Sequence, residues 1–357
     1  MNFLNQIVEI AQKLITFRTT ADNPTALNDS LKWIENYLFD TDLVIKRFER
    51  NQKPSLLILL SQESPQVLLN GHVDVVSAKD SQFEPMIRDG KIFGRGALDM
   101  KSGLAVLIVL MKHLSQQQIR LPIGLSIVTD EEIGGQNGTG YLTEQEGKPK
   151  FFLSAEPTDL QIGNEARGII WLKIKTVGKA AHASSPWLGE NANVKLVNLL
   201  KKLNELYPTP NNEEWVTTRN LSTIKGGETT NKVPDLAEAT LDIRYIPSDN
   251  PDEIIREIRN IDPQSEVEII NKEPASYTDG GNEFIVKLKQ SLKSSGVESK
   301  LLKKFAASDA RFYTRKGIPA VVFGPSGQGQ HSDNEFVDVS SLEKLYNVLL
   351  DFILKYK

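Results

Sequence analysis

Leu68-Leu69-Asn70-Gly71-His72-Val73-Asp74, followed after a loop by Gly94-Arg95-Gly96-Ala97-Leu98-Asp99-Met100-Lys101, is the stretch whose reading decides the fold. An apolar run into a histidine and an aspartate two residues apart describes a buried strand. Its C-terminal end carries polar groups on one face, because side chains alternate with period two. Groups at such a strand end face the mouth of an open α/β sheet, where ligands bind. His72 is read as a metal ligand, Asp74 as the carboxylate that fixes its ring, and Asp99 as a further ligand able to bridge two metals.

Working outward, 357 residues exceed one ordinary core and point to two or three domains. The net charge of −4 gives no sign of a nucleic-acid or anionic-membrane binder. The absence of cysteine removes disulfides, thiolate nucleophiles and cysteine-type zinc sites together, so a transition-metal site must use histidines and carboxylates. Phe3, Ile7, Ile10, Leu14 and Phe17 recur at helical spacing between Met1 and Phe17, interrupted by Glu9 and Lys13, which reads as an amphipathic helix and not a signal peptide. The longest apolar run, Leu104 to Met111, is far short of a membrane span. A cytoplasmic location is the resulting expectation.

A second helix is expected over Ala26 to Phe39, then strands over Leu43 to Phe48, Ser55 to Leu60 and Gln66 to Asp74. Ser77 to Gly96 reads as a long loop of the kind that usually carries function. Lys101 to Leu114 is a strongly apolar helix of the sort that covers a sheet, and Leu125 to Thr129 and Phe151 to Ser154 are short strands followed by carboxylates. This alternation argues a mixed or parallel α/β sheet flanked by helices. From Arg167 the pattern changes to strand Ile169 to Val177, helix Asn191 to Tyr207, strands Val216 to Lys225 and Ala237 to Tyr245, helix Asp252 to Ile261 and strand Glu266 to Asn271. That βαββαβ order is a complete α+β unit, read as a domain inserted at 167–276 between two parts of the first domain, 1–166 and 277–357. The second part holds long helices from Asn282 and the apolar strand Ile318 to Phe323.

Three more groups stand at strand ends or in glycine-rich loops: Asp130-Glu131-Glu132 before Gly134-Gly135, Glu156 in Ser154-Ala155-Glu156-Pro157-Thr158, and His331 in His331-Ser332-Asp333-Asn334-Glu335. Adjacent glutamates on an extended segment would point opposite ways, one to a metal and its neighbour to a water. Asp99, Glu131, Glu132 and Glu156 would repel one another at close quarters unless cations neutralise them, and two divalent ions supply the matching charge. A bridged pair of ions suits amide hydrolysis. Glycines before Lys101-Ser102 raise a phosphate loop, but such a loop needs glycine immediately before the lysine and Met100 stands there.

These motifs, in this order over nearly the whole chain, resemble the dizinc peptidase and deacylase family of acetylornithine deacetylase, succinyl-diaminopimelate desuccinylase, aminoacylase and glutamate carboxypeptidase. The resemblance implies a zinc-peptidase-like catalytic domain with an inserted lid and dimerisation domain. It implies that Asp99 bridges two divalent ions, zinc first, with cobalt or manganese possible. His72 and Glu156 would complete one site, Glu132 and His331 the other, with Glu131 as general base and a cis Asp99-Met100 peptide. His182, in Gly178-Lys179-Ala180-Ala181-His182-Ala183-Ser184, matches a lid histidine that reaches the partner subunit's site in dimeric relatives and stabilises the oxyanion. Asn231 and Arg244 match positions turned toward substrate, and Arg311, in Ser308-Asp309-Ala310-Arg311, a position that helps hold a substrate carboxylate.

The expectation is therefore a homodimeric dimetal amidohydrolase acting on a small N-acyl amino acid or related carboxylate-bearing substrate, with no nucleic-acid or membrane partner. Glutamate at 156 resembles the deacylase and carboxypeptidase members more than the aminopeptidases. A dipeptidase or carboxypeptidase is the enzymatic alternative, and a noncatalytic binding protein on the same fold the alternative of another class. His113, ending an apolar helix, reads as structural.

Overall fold

The strand Val67–His72 lies between Ile123–Val128 and Phe151–Ser154 and runs parallel to both. These strands, fully buried and almost wholly apolar, form the centre of a larger sheet in the computed structural model, which describes residues 3–145 and 148–356. Lys53–Leu59 pairs antiparallel with Ile123–Val128, and Val44–Arg50 antiparallel with Lys53–Leu59. On the other side Ala320–Val322 adds parallel to Phe151–Ser154. The sheet is thus mixed, and its parallel centre is buried on both faces, as parallel strands require.

One face is covered by the helices Phe3–Thr16, Pro24–Tyr37, Ser102–Gln116, Glu283–Ser294 and Val339–Leu354, whose apolar stripes share one core with Val67, Leu69, Leu125 and Leu153. Ser102–Gln116 is buried almost all round, which explains its lack of a polar face. Met1, where the sequence expectation for the first helix began, lies outside the described residues. The other face carries Leu57, Leu59, Leu68 and Phe152 against Phe312, Tyr313 and Ile318. His113 pairs with the Tyr346 hydroxyl and stacks on Phe3 at 4.3 Å, a structural role. Among the described residues no helix is long and apolar enough to cross a membrane.

The stretch Ser77 to Gly96 is not one long loop. It contains the strands Met86–Arg88 and Lys91–Phe93, which join Phe336–Asp338 and Gly327–Gln328 in a small separate sheet. Three-residue strands, paired with each other across Asp89-Gly90 and, through Lys91–Phe93, with a strand more than two hundred residues away, are too short to leave a periodic signal.

The chain divides into two units. One comprises Met1–Asn164, Tyr277–Leu302 and Ser308–Lys357; the other comprises Glu165–Ser276 and Lys303–Ala307. Within the second unit Gly168–Val177, Leu236–Tyr245, Thr218–Gly226 and Glu266–Glu273 form an antiparallel sheet. The helices Ala192–Leu206 and Pro251–Ile261 bury Leu196, Leu199, Ile255 and Ile258 with Ile170, Leu172, Leu241 and Ile243 of that sheet.

Candidate metal centre

Parallel register builds the site. His72 stands opposite Val128, and Asn70 opposite Ser154, so two residues beyond Ser154 the chain brings Glu156 to the level of His72. Glu131 and Glu132 follow Val128 at the same edge. His72 and Asn70 share the face that carries Leu68, so the side chains change from apolar to polar toward the strand's C-terminal end.

The side chains converge. His72 Nε2 is 3.2 Å from Asp99 Oδ1 and 3.7 Å from Glu156 Oε1. His331 Nε2 is 3.2 Å from Asp99 Oδ2 and 3.2 Å from Glu132 Oε2. Two triads able to hold a metal ion result, His72–Asp99–Glu156 and Asp99–Glu132–His331, each with ligand atoms within 4.8 Å of one another and with Asp99 common to both. Glu131 Oε2 lies 3.9 Å from His72 Nε2, beside the first triad. The Asp99-Met100 peptide is cis, and the Gln330 amide donates to Asp99 Oδ2.

Two local geometries differ from the sequence expectation. Glu131 and Glu132 do not lie on an extended segment but on a single 3-10 turn, Glu131–Ile133, ended by Gly134 at φ +105°. The turn still separates the two carboxylates. His72 Nδ1 donates to the backbone carbonyl of Asp74 at 2.9 Å, while the Asp74 carboxylate is 3.5 Å away and accepts the Glu132 N–H at 2.9 Å. Asp74 thus fixes the ring through its main chain and the glutamate turn through its side chain.

The donors fit divalent cations. With Nδ1–H committed to a carbonyl, His72 presents the Nε2 lone pair, the tautomer a metal ligand needs. Imidazole nitrogens and carboxylate oxygens without thiolate suit zinc, manganese or cobalt.

Arg311 is buried, with its guanidinium donating to the carbonyls of Ser308 at 2.9 Å and Gly134 at 2.7 Å. In the second unit, the loops carrying His182 and Asn231 are paired: Ala183 N–H donates to Asn231 O at 3.0 Å and Val233 N–H to Ala181 O at 2.8 Å. His182 is exposed, and its Nδ1 accepts the Ser184 N–H at 3.1 Å, which places the proton of the neutral ring on Nε2. Arg244 forms a two-pronged pair with Asp242 at 2.7 and 2.8 Å. Arg95 and Glu335 were quoted in the sequence motifs without a role, and Gln330 was not singled out. A buried arginine flanked by glycines, with a glutamate in the other ligand loop, was the available signal.

Burial and neighbouring charges shift the pKa values of these groups. Burial opposes a charged His72, yet the carboxylates of Asp74, Asp99 and Glu156 outweigh it and push its pKa up. Hydrogen bonds to Asp99 and Glu132 push His331 up to about 10. Burial, reinforced by Glu156, raises Glu131 well above the usual carboxyl range, and burial raises Glu132 and takes Asp309 to about 7. All of these bind more protons folded than unfolded, so their stabilisation is present at low pH and lost as pH rises toward 10. Lys101, pushed down to about 7 by burial, acts oppositely but is one group against several. Asp99, held far below the usual carboxylate range by His331 and His72, also acts oppositely, but its contribution is already complete by pH 6.5. Chelator-treated protein should therefore melt several degrees lower at pH 9.5 than at pH 6.5. Added zinc or manganese should reverse that trend, since ions displace the ligand protons more easily as pH rises. Calorimetric melts at both pH values check this, and a midpoint that rises with pH without metal counts against it.

Residues 68–355 match Peptidase family M20/M25/M40. The chain is 28% identical to succinyl-diaminopimelate desuccinylase of Rickettsia akari (strain Hartford), over 98% of this chain and 99% of that protein. Among solved structures it superposes on aminopeptidase PepT from Bacillus cereus ATCC 10987 with a TM-score of 0.82 at 19% identity, covering 98% of each chain. It superposes on the Bacillus subtilis YXEP protein, described as a dinuclear metal-binding peptidase of the M20 family, with a TM-score of 0.74 at 13% identity, covering 99% of this chain and 98% of that one.

Proposed function

Because this chain belongs to peptidase family M20/M25/M40 and is one of its metallohydrolases, we propose that it cleaves the amide bond of a small N-acyl amino acid or related carboxylate-bearing substrate, using two divalent ions held by His72, Asp99, Glu132, Glu156 and His331. The observation that carries this reading is the single carboxylate, Asp99, common to two ligand triads. Zinc is the first candidate metal. When bound, the ions would polarise the scissile carbonyl and lower the pKa of a water between them.

The chain's own groups supply the rest. Asp99 holds both positions together, His72 with Glu156 completes one, and Glu132 with His331 the other. Glu131, whose carboxyl burial has made unusually basic, takes a proton from the attacking water and returns it to the departing amine. Asp74 sets the His72 ring and the Glu131–Ile133 turn. Arg311, bonded to the carbonyls of Ser308 and Gly134 beside the glutamate turn, is the proposed partner of the substrate carboxylate.

His182, with a proton on Nε2, is suited to donate to the developing oxyanion, as the lid histidine does in dimeric relatives. Asn231, beside it, and Arg244, oriented by Asp242, are proposed to face the substrate. A homodimer through the second unit would complete this arrangement. Its edge strand Thr218–Gly226 and the exposed Val194, Val197 and Ile224 support such an interface. A cytoplasmic location belongs to the same proposal.

The desuccinylase relative favours deacylation over peptide cleavage, as does Glu156. N-succinyl, N-acetyl and N-formyl amino acids assayed beside di- and tripeptides, with zinc, cobalt or manganese supplied, should give kcat/KM at least about tenfold higher for an N-acyl amino acid, a preference of about 1.4 kcal/mol. Faster turnover of dipeptides would replace this reading with a peptidase.

A further inference from the structure

The small sheet pairs Phe93 with Phe336 antiparallel, which brings Gly94 and Glu335 to face each other one residue further on. There the Gly94 N–H donates to the Glu335 carbonyl at 3.2 Å, and the Glu335 side chain turns into the protein interior. Its two oxygens divide the work. Oε2 accepts Arg95 Nη1 at 2.7 Å and Gly96 N–H at 3.1 Å; Oε1 accepts Leu98 N–H at 2.9 Å and Asp99 N–H at 3.1 Å. The chain from Arg95 to Asp99 is wrapped around one carboxylate that is 1% exposed. The wrap requires Gly96, whose φ is +80° and where a Cβ would stand 2.8 Å from Val75 Cγ1.

We propose that Glu335 is a positioning residue for the metal centre, joining the loop that ends in Asp99 to the loop that begins with His331. The proposal rests on the two-ion reading above. A buried carboxylate–guanidinium pair alone is a weak source of stability, because both partners lose water. What Glu335 adds is directional: its Oε1 is bonded to the amide of the shared ligand itself. His331, four positions before it, lies in the turn between the paired strands Gly327–Gln328 and Phe336–Asp338. Removing the carboxylate leaves the Leu98 and Asp99 N–H groups buried and unpaired, which the loop can relieve only by turning the Asp99 backbone. Arg95 neutralises Glu335, so the scaffold stands without drawing on the ions' charge.

The test is titration calorimetry of zinc into the chelator-stripped full chain, for wild type, Glu335→Ala and Glu335→Gln, with melting temperatures of the metal-free forms alongside. Wild type should take up two ions, and Glu335→Ala should bind them about 10- to 100-fold more weakly, the range found when groups that orient metal ligands are removed. Glu335→Gln keeps an acceptor for Leu98 and Asp99 but turns an amide toward Arg95 and Gly96, so it should lose less. A merely structural role would lower the metal-free melting temperature while the folded protein kept its affinity within twofold, and that result overturns the proposal. If Glu335→Ala does not fold, Glu335→Gln decides on the same criterion: a loss of about fivefold or more supports positioning, and a smaller one overturns it. A wild-type chain that binds fewer than two ions removes the two-ion reading itself.

Discussion

Glu131→Ala should lower kcat by about 10³-fold or more while both metal ions remain bound, since general acid–base groups contribute roughly 10²- to 10⁴-fold and Glu131 is assigned both proton transfers. The distinction from its neighbour is geometric. Glu132 Oε2 is 3.2 Å from His331 Nε2, inside a ligand triad, whereas Glu131 Oε2 lies 3.9 Å from His72 Nε2 and belongs to neither triad. Glu132→Ala should therefore lose metal as well as activity, and Glu131→Ala activity alone. Glu131→Gln, which keeps the shape and removes the basicity, should match Glu131→Ala. Elemental analysis beside steady-state kinetics separates the two residues. Full activity in Glu131→Ala, or loss of metal from it, would remove Glu131 as the base.

Asp99→Ala should have the largest effect on metal content. Asp99 gives one oxygen toward His72 and the other toward His331, at 3.2 Å in each case. Its removal takes a ligand from both triads at once. The expected result is less than one ion per chain after dialysis against ion-free buffer, with activity reduced at least about 10³-fold. His331→Ala, by contrast, strips one triad only and should keep the ion of His72, Asp99 and Glu156. An Asp99→Ala protein that retained two ions and turned over substrate would show that the ions are not bridged.

Much of this was legible in the chain because strand periodicity is a strict geometric rule. The run from Leu68 to Asp74 could be assigned as a buried strand with His72 at its polar end, and parallel neighbours then bring Glu131, Glu132 and Glu156 to one edge. Periodicity describes side chains, however, and says nothing of main-chain donors and acceptors. The bond from His72 to the Asp74 carbonyl, and the three main-chain bonds converging on Glu335, were for that reason invisible in the residue pattern. Adjacent glutamates suggested an extended segment, but the glycine pair at 134 and 135, both at positive φ, closes a turn instead. The strands Met86–Arg88 and Lys91–Phe93 were hidden in a loop because each is only three residues long, although the Asp89-Gly90 turn that joins them, both residues at positive φ, is a local hairpin signal; the pairing of Lys91–Phe93 with Phe336–Asp338 is one that local sequence cannot show.

The most direct measurement is anomalous diffraction from crystals of the full chain grown with zinc or manganese. Two peaks should appear about 3.5 to 4 Å apart, the separation of bridged catalytic pairs. One should be bonded to His72, Glu156 and Asp99, and the other to Glu132, His331 and the second oxygen of Asp99. A single peak, or two peaks with Asp99 bonded to neither, would contradict the bridged two-ion site from which every catalytic assignment above follows.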